Sequence, residues 1–163
     1  MQLNEMMDQF MNVYGVERTS ITAEDCFGAF QLACDELVEF SDEFITGAKE
    51  DGSVALFEDD CINQANVAKE MADIIYVTAQ RMRRMGMDVN TIMDEVHRSN
   101  MSKMVGSDFI DQELELAQNR YPDAISQLVE DGVHVIRDPN TGKIVKPLCY
   151  SAAVITPEMV KAP

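Results

Sequence analysis

An all-α fold on a four-helix-bundle core is expected from three features of this chain. Apolar residues recur at helical spacing over long runs, the connections between runs are short, and Gly, Thr or Asp marks the run ends. Long helices joined this way pack as a bundle. The 163 residues suffice for one domain, and 46% hydrophobic side chains make a globular composition. A single domain over residues 1–163 is expected. It divides into a helical core over about 1–105, a helical insertion over about 108–131, and a short hairpin and tail over about 132–163.

The first helix runs from Leu3 to Tyr14 and stops near Gly15. Thr22 offers an N-cap to a second, with Glu24 and Asp25 in its first turn. That helix continues from Ala23 to Ile45 and ends at Thr46-Gly47, and Gly47 to Ser53 reads as a polar loop. A third helix spans Cys61 to Met85, stopped by Gly86. Asp88 caps a fourth, from Val89 to Met104. Asp108 to Glu130 reads as a further helical stretch, broken before Pro122. Val133 to Ile136 and Lys143 to Lys146 flank Asp138-Pro-Asn-Thr-Gly142, a hairpin pattern, and the tail from Pro147 is extended.

With 29 acidic and 13 basic side chains the net charge is −16, which argues against a nucleic-acid or anionic-membrane surface. No Cys-x-x-Cys pair occurs, so a zinc site is not expected, and Cys26 and Cys34 read as small core residues. Twelve methionines read as core filling. No signal-peptide pattern opens the chain and no apolar run reaches membrane-spanning length, so a reduced, cytoplasmic setting is expected.

Chemistry concentrates in two acidic pairs. Glu36 and Glu39 lie three residues apart on the second helix, and Glu70 and Asp73 on the third. Residues at i and i+3 share a helix face. With Glu36 at zero, Ala29, Ala33, Phe40, Phe44, Leu37 and Phe30 form a stripe at roughly 20° to 120°, and Glu39 falls near −60°. With Glu70 at zero, Ile74, Val67, Thr78, Met71 and Met82 occupy roughly 40° to 120°, and Asp73 again falls near −60°. Two helices packed by these stripes bring the pairs together. Four carboxylates in one volume repel unless hard cations sit among them, and Mg²⁺ or Mn²⁺ take such oxygen ligands.

The fourth helix adds a complement. Ile92, Met93 and Val96 mark its buried face, from which Asn100 and Lys103 also project. A lysine and an amide there need polar partners, which a carboxylate–metal cluster or a phosphate bound to it supplies. Either acidic pair alone is ordinary on a solvated helix face; the shared phase of both, with Asn100 and Lys103, is what points to a site. His97 follows Asp94 by three residues, but a carboxylate-bridged di-iron bundle uses two Glu-x-x-His runs, and the only other histidine, His134, lies in the hairpin. His97 is read as structural.

The order Glu-x-x-Glu, gap, Glu-x-x-Asp resembles the all-α nucleoside triphosphate pyrophosphohydrolase superfamily, which includes MazG-type enzymes and phosphoribosyl-ATP pyrophosphohydrolase. Lys69 to Val77 is similar to that superfamily's second motif, Val96 to Lys103 to the segment that follows it, and Gly142 to Pro147 with Tyr150 to a tail of the phosphoribosyl-ATP pyrophosphohydrolase-like subgroup. The likeness spans roughly Phe27 to Lys103 and rejoins near Gly142. Two features depart from it: a long gap between Glu39 and Glu70, and the stretch from Asp108 to Glu130.

The resemblance implies a MazG-like bundle and Mg²⁺-dependent hydrolysis of a (deoxy)nucleoside triphosphate to the monophosphate and pyrophosphate, with Mn²⁺ as a substitute ion. It implies Glu36, Glu39, Glu70 and Asp73 as metal ligands, with Glu39 also the favoured base for the attacking water. Lys103 is then set to hold a phosphate and Asn100 a phosphate or sugar oxygen, while Lys143 and Lys146 close over the phosphates. Tyr76 either stacks a base or faces a partner subunit. Relatives are dimers or dimers of dimers, so a homodimer or homotetramer is expected. Two rivals stand beside this reading. One is an acidic helical protein that mimics DNA and blocks a nucleic-acid-binding enzyme; the other is a nucleotide binder without catalysis.

Overall fold

The computed structural model describes residues 2–161. Five α-helices supply about half of them, so the chain is mostly helical, and two small antiparallel sheets replace the all-α expectation. The chain separates into two compact units. The first runs through Asn90 and regains the chain from Pro157; the second is Thr91–Thr156.

In the first unit, α1 spans Leu3–Tyr14 and ends as expected: Gly15 takes φ 62° and donates its N–H to Met11 O. α2 is Ala23–Asp42, started by Thr22, whose Oγ1 accepts the Asp25 N–H at 3.1 Å. The chain then turns sooner than the helical pattern suggests. Ile45–Ala48 (β1) pairs antiparallel with Val54–Leu56 (β2), so the polar loop is the tip of a hairpin. α3 spans Gln64–Arg84, started by Asn63, whose Oδ1 accepts the N–H groups of Ala65 and Asn66 at 3.1 and 3.2 Å. α4 is Val89–Met101. Its first N–H, on Val89, goes to Asn4 Oδ1 at 3.0 Å, while Asn4 Nδ2 donates to Asp88 at 2.8 Å.

Met7, Ala79 and Val89 form this unit's core, with Leu3, Met6, Tyr76 and Met82 packed against it. Arg83 is buried beside them and kept charged by a two-pronged bond to Asp8, 2.7 Å from Nε and 2.8 Å from Nη2. α2 packs against α3 but buries none of its residues. Cys26 is exposed and Cys34 half-buried, so neither is a core residue, and Met71, Met93 and Met101 are exposed rather than core filling.

The second unit holds a three-stranded antiparallel sheet in the order β3–β5–β4. Its strands are Val105–Gly106 (β3), Ile125–Glu130 (β4) and Val133–Arg137 (β5), with α5, Ile110–Gln118, before β4. Only the first half of the expected helical insertion is therefore helix. Its second half pairs with β5, Ile125 opposite Arg137 and Leu128 opposite His134. The expected hairpin shrinks to one bridge, Arg137 to Ile144. The intervening turn closes on itself: Gly142 N–H meets Asp138 O at 2.8 Å, and the buried Asp138 carboxylate accepts from Asn140 N–H and the Thr141 hydroxyl. Val105, Ile110, Ala117, Ala124, Ile136 and Val145 make a second core.

Candidate metal centre

α2 and α3 set three of the four sequence-identified carboxylates together. Glu36, Glu70 and Asp73 each place one oxygen within 4.8 Å of the others. Glu70 is buried, and Glu36 and Asp73 are half-buried. Glu39, one turn further along α2, is exposed and outside this group. At the same edge Asn66 Nδ2 donates to Glu43 at 3.4 Å, tying the two helices together.

The electrostatics are those of a site short of positive charge. Glu36 is pushed above the ordinary carboxylate range, first by loss of solvent, then by Glu39, Asp73 and Glu70. Lys69 relieves part of the strain: its Nζ donates to Glu70 Oε1 at 2.8 Å and to Asp73 Oδ2 at 2.9 Å. Those two carboxylates hold Lys69 charged well above the ordinary lysine range, Glu70 contributing most. The sequence reading passed over Lys69. Its signal was present, since it adjoins Glu70 and stands four residues before Asp73, a bridging distance on a helix.

Four buried side-chain atoms among the described residues lack a partner, and the one in this cluster is Glu70 Oε2; the others are Thr19 Oγ1, Arg81 Nε and Arg84 Nε. A buried carboxylate oxygen without a hydrogen bond is costly. Hard oxygen donors on three side chains, one of them unsatisfied, match what Mg²⁺ or Mn²⁺ binds. Lys69 already brings a single positive charge to two of the three carboxylates, Glu70 and Asp73, so the residues fit a cation there.

The remaining sequence-identified residues fall into two places. Tyr76 belongs to the first unit, where it packs on the Met7–Ala79–Val89 core and meets Phe10 edge-on at 5.7 Å. Asn100 and Lys103 lie in the second unit. The buried positions of α4 are Val89, Ile92 and Ser99; Met93 and Asn100 are exposed, so Asn100 does not lie on the buried face. Lys103 is half-buried and donates to Asn100 Oδ1 at 2.8 Å, so the pair satisfies itself in part.

The tail binds alongside α4 through polar contacts. Ser99 Oγ donates to Tyr150 Oη at 3.1 Å, Ser151 N–H reaches Ser102 Oγ at 2.9 Å, and Val154 N–H reaches Glu95 at 2.8 Å. The Ser99 bond, with Lys146 and Lys103 nearby, lowers the Tyr150 phenol below its ordinary range. Lys146 Nζ stands 4.4 Å over the Tyr150 ring. Lys143 and Lys146 also line a cavity of about 240 Å³ whose other walls include Arg120 and Tyr121 of the insertion. Neither Arg120 nor Tyr121 stood out in the sequence.

Among the described residues no helix is long and apolar enough to cross a membrane. A family model described as phosphoribosyl-ATP pyrophosphohydrolase matches residues 4–100, which contain both acidic pairs, Tyr76 and Asn100. No curated protein matches the chain.

Proposed function

The chain belongs to the phosphoribosyl-ATP pyrophosphohydrolase family, and we propose from this premise that it hydrolyses a (deoxy)nucleoside triphosphate to the monophosphate and pyrophosphate with Mg²⁺. The family implies a pyrophosphohydrolase acting on a phosphoric anhydride of a nucleotide-like substrate. The observation that carries the finer reading is the trio Glu36, Glu70 and Asp73, its oxygens within 4.8 Å of one another and Glu70 Oε2 buried without a partner.

Glu36, Glu70 and Asp73, with Glu39 swung inward, are the residues to hold the ion. When bound, Mg²⁺ or Mn²⁺ supplies charge neutralisation at the phosphate oxygens and acidifies a water. Lys69 keeps the cluster intact without the ion and gives way to it; its exposed stem leaves room to move. Glu39 has no bond of its own to break, which favours it as the base that takes the water's proton. The water's oxygen bonds to phosphorus, the α–β anhydride bond breaks, and pyrophosphate leaves with the bridging oxygen. Lys103, oriented by Asn100, is suited to hold a phosphate.

A homo-oligomer belongs to the same reading. α2 buries no residue, yet Phe27, Phe30 and Leu37 are 58%, 63% and 51% exposed, and Met71 and Ile75 of α3 are 51% and 60% exposed. Apolar surface on this scale at helix faces favours a second copy. A DNA mimic would spread its acids over the surface instead of turning three of them onto one point between two helices.

The test is pyrophosphate release from a panel of ribo- and deoxyribonucleoside triphosphates, each with Mg²⁺ and with excess chelator. Release from at least one nucleotide, abolished by chelator, is expected. Full turnover without a divalent ion, or none from any nucleotide, overturns the proposal.

A further inference from the structure

The second unit carries a cationic pocket. Its cavity of about 240 Å³ is lined by Arg120 of the insertion and by Lys143 and Lys146 of the following segment. One carboxylate, Glu113, shares the lining, leaving a net charge of +2 in a chain whose total is −16. All of it lies beyond the residues matched by the family model.

Three observations make this a built anion site. First, among the described residues none of the three cations forms a salt bridge, so no carboxylate of the chain neutralises them. Glu113 is turned to another task, accepting the Leu148 N–H at 2.7 Å. Second, two of the cations are seated by aromatic rings, Arg120 5.5 Å from the centre of Tyr121 and Lys146 4.4 Å from that of Tyr150. A ring face positions a cation without neutralising it. Third, the lysine segment is pinned: Val145 N–H bonds Ile136 O at 2.8 Å, and Lys143 O accepts the Asp138 N–H at 2.9 Å. The two lysines are thus presented from fixed backbone across from α5.

We propose that this pocket binds the pyrophosphate group, either as the free anion or as the terminal phosphates of a nucleotide. The size favours a small ligand, since pockets for drug-sized molecules run about 300–1,000 Å³. Three cations against one engaged carboxylate select an ion of high charge density over a singly charged one. The proposal rests on the pocket's own residues, and its failure is separable from failure of the enzymatic reading.

The test is calorimetric titration of sodium pyrophosphate into the full chain, stripped of divalent ions and free of chelator. Metal-free carboxylates repel the anion, so binding then reports the pocket. Saturable binding at one site per chain is expected, weakened at least ten-fold in Arg120→Ala and in Lys146→Ala, and unchanged in Glu70→Gln. Both substitutions of the pocket cations fall on exposed positions, and circular dichroism checks that the fold persists. A nucleoside triphosphate that displaces pyrophosphate, with the monophosphate inert, assigns the pocket to the nucleotide tail. Pyrophosphate binding that the triphosphate leaves undisturbed assigns it to the free anion. Absence of saturable binding, full affinity in the Arg120→Ala and Lys146→Ala variants, or equal affinity for orthophosphate overturns the proposal.

Discussion

Replacing Glu36 by glutamine is expected to stabilise the metal-free protein and to blunt its response to Mg²⁺. Glu36 shares a 4.8 Å neighbourhood with Glu70 and Asp73. Two like charges at that separation repel by about 3.5 kcal/mol at an effective dielectric of about 20, and by roughly 0.9 kcal/mol in bulk water. Glu36 is half-buried and Lys69 offsets part of the field, so a net relief of about 1 kcal/mol is reasonable. For a chain of this size that corresponds to a rise of about 2–4 °C in melting temperature.

The pH dependence follows from the raised folded-state value. A carboxyl harder to ionise when folded costs nothing below its unfolded value near 4.5; the cost opens as pH rises past that value and is complete above the folded one. The advantage of Glu36→Gln should therefore be absent in acid and open toward neutrality. With Mg²⁺ at about ten times its dissociation constant the wild-type chain gains roughly 1.4 kcal/mol, and the variant, short of one ligand, gains less. Scanning fluorimetry on both proteins, at pH 4 and pH 7, with and without Mg²⁺, gives all four comparisons. A variant no more stable than wild type at pH 7, or an equal Mg²⁺-induced rise in both, would refute the account of this site.

Three further expectations follow from other contacts. Glu95 is held down to about 2 by Arg98 and the Val154 N–H, so the stabilising contact of Arg98 is complete above about pH 4.5 and fades toward pH 2; the melting-temperature gap between wild type and Arg98→Ala should close over that window. Lys103→Ala should reduce kcat/KM for the best nucleotide about ten-fold, the scale of one charge-assisted contact, and unchanged steady-state kinetics would remove Lys103 from the site. Multi-angle light scattering at micromolar concentration should find a dimer or tetramer, and Leu37→Glu on the exposed face of α2 should lower the assembly state; an 18.3 kDa species in wild type would contradict the oligomer.

Residues that carry their own instructions were legible in the sequence. Thr22, Gly15 and Gly86 marked helix ends because capping and left-handed geometry are local properties. The carboxylate trio was legible because i and i+3 spacing fixes a face wherever a helix forms. β4 was not legible: Leu128 and Val129 are 60% and 48% exposed, and only pairing with β5 makes that run a strand. β1 and β2 are short strands that exist through each other, so a polar loop was the natural local reading. The convergence of Arg120 with Lys143 and Lys146 joins positions more than twenty residues apart, which no local pattern encodes.

The second core has a consequence for which substitutions its unit tolerates. Each of its six residues, Val105, Ile110, Ala117, Ala124, Ile136 and Val145, lies past the end of the family match at residue 100. The six pack together within the second unit. Ile136 is fully buried there, so trimming it to alanine is expected to leave a cavity that costs about 2–5 kcal/mol.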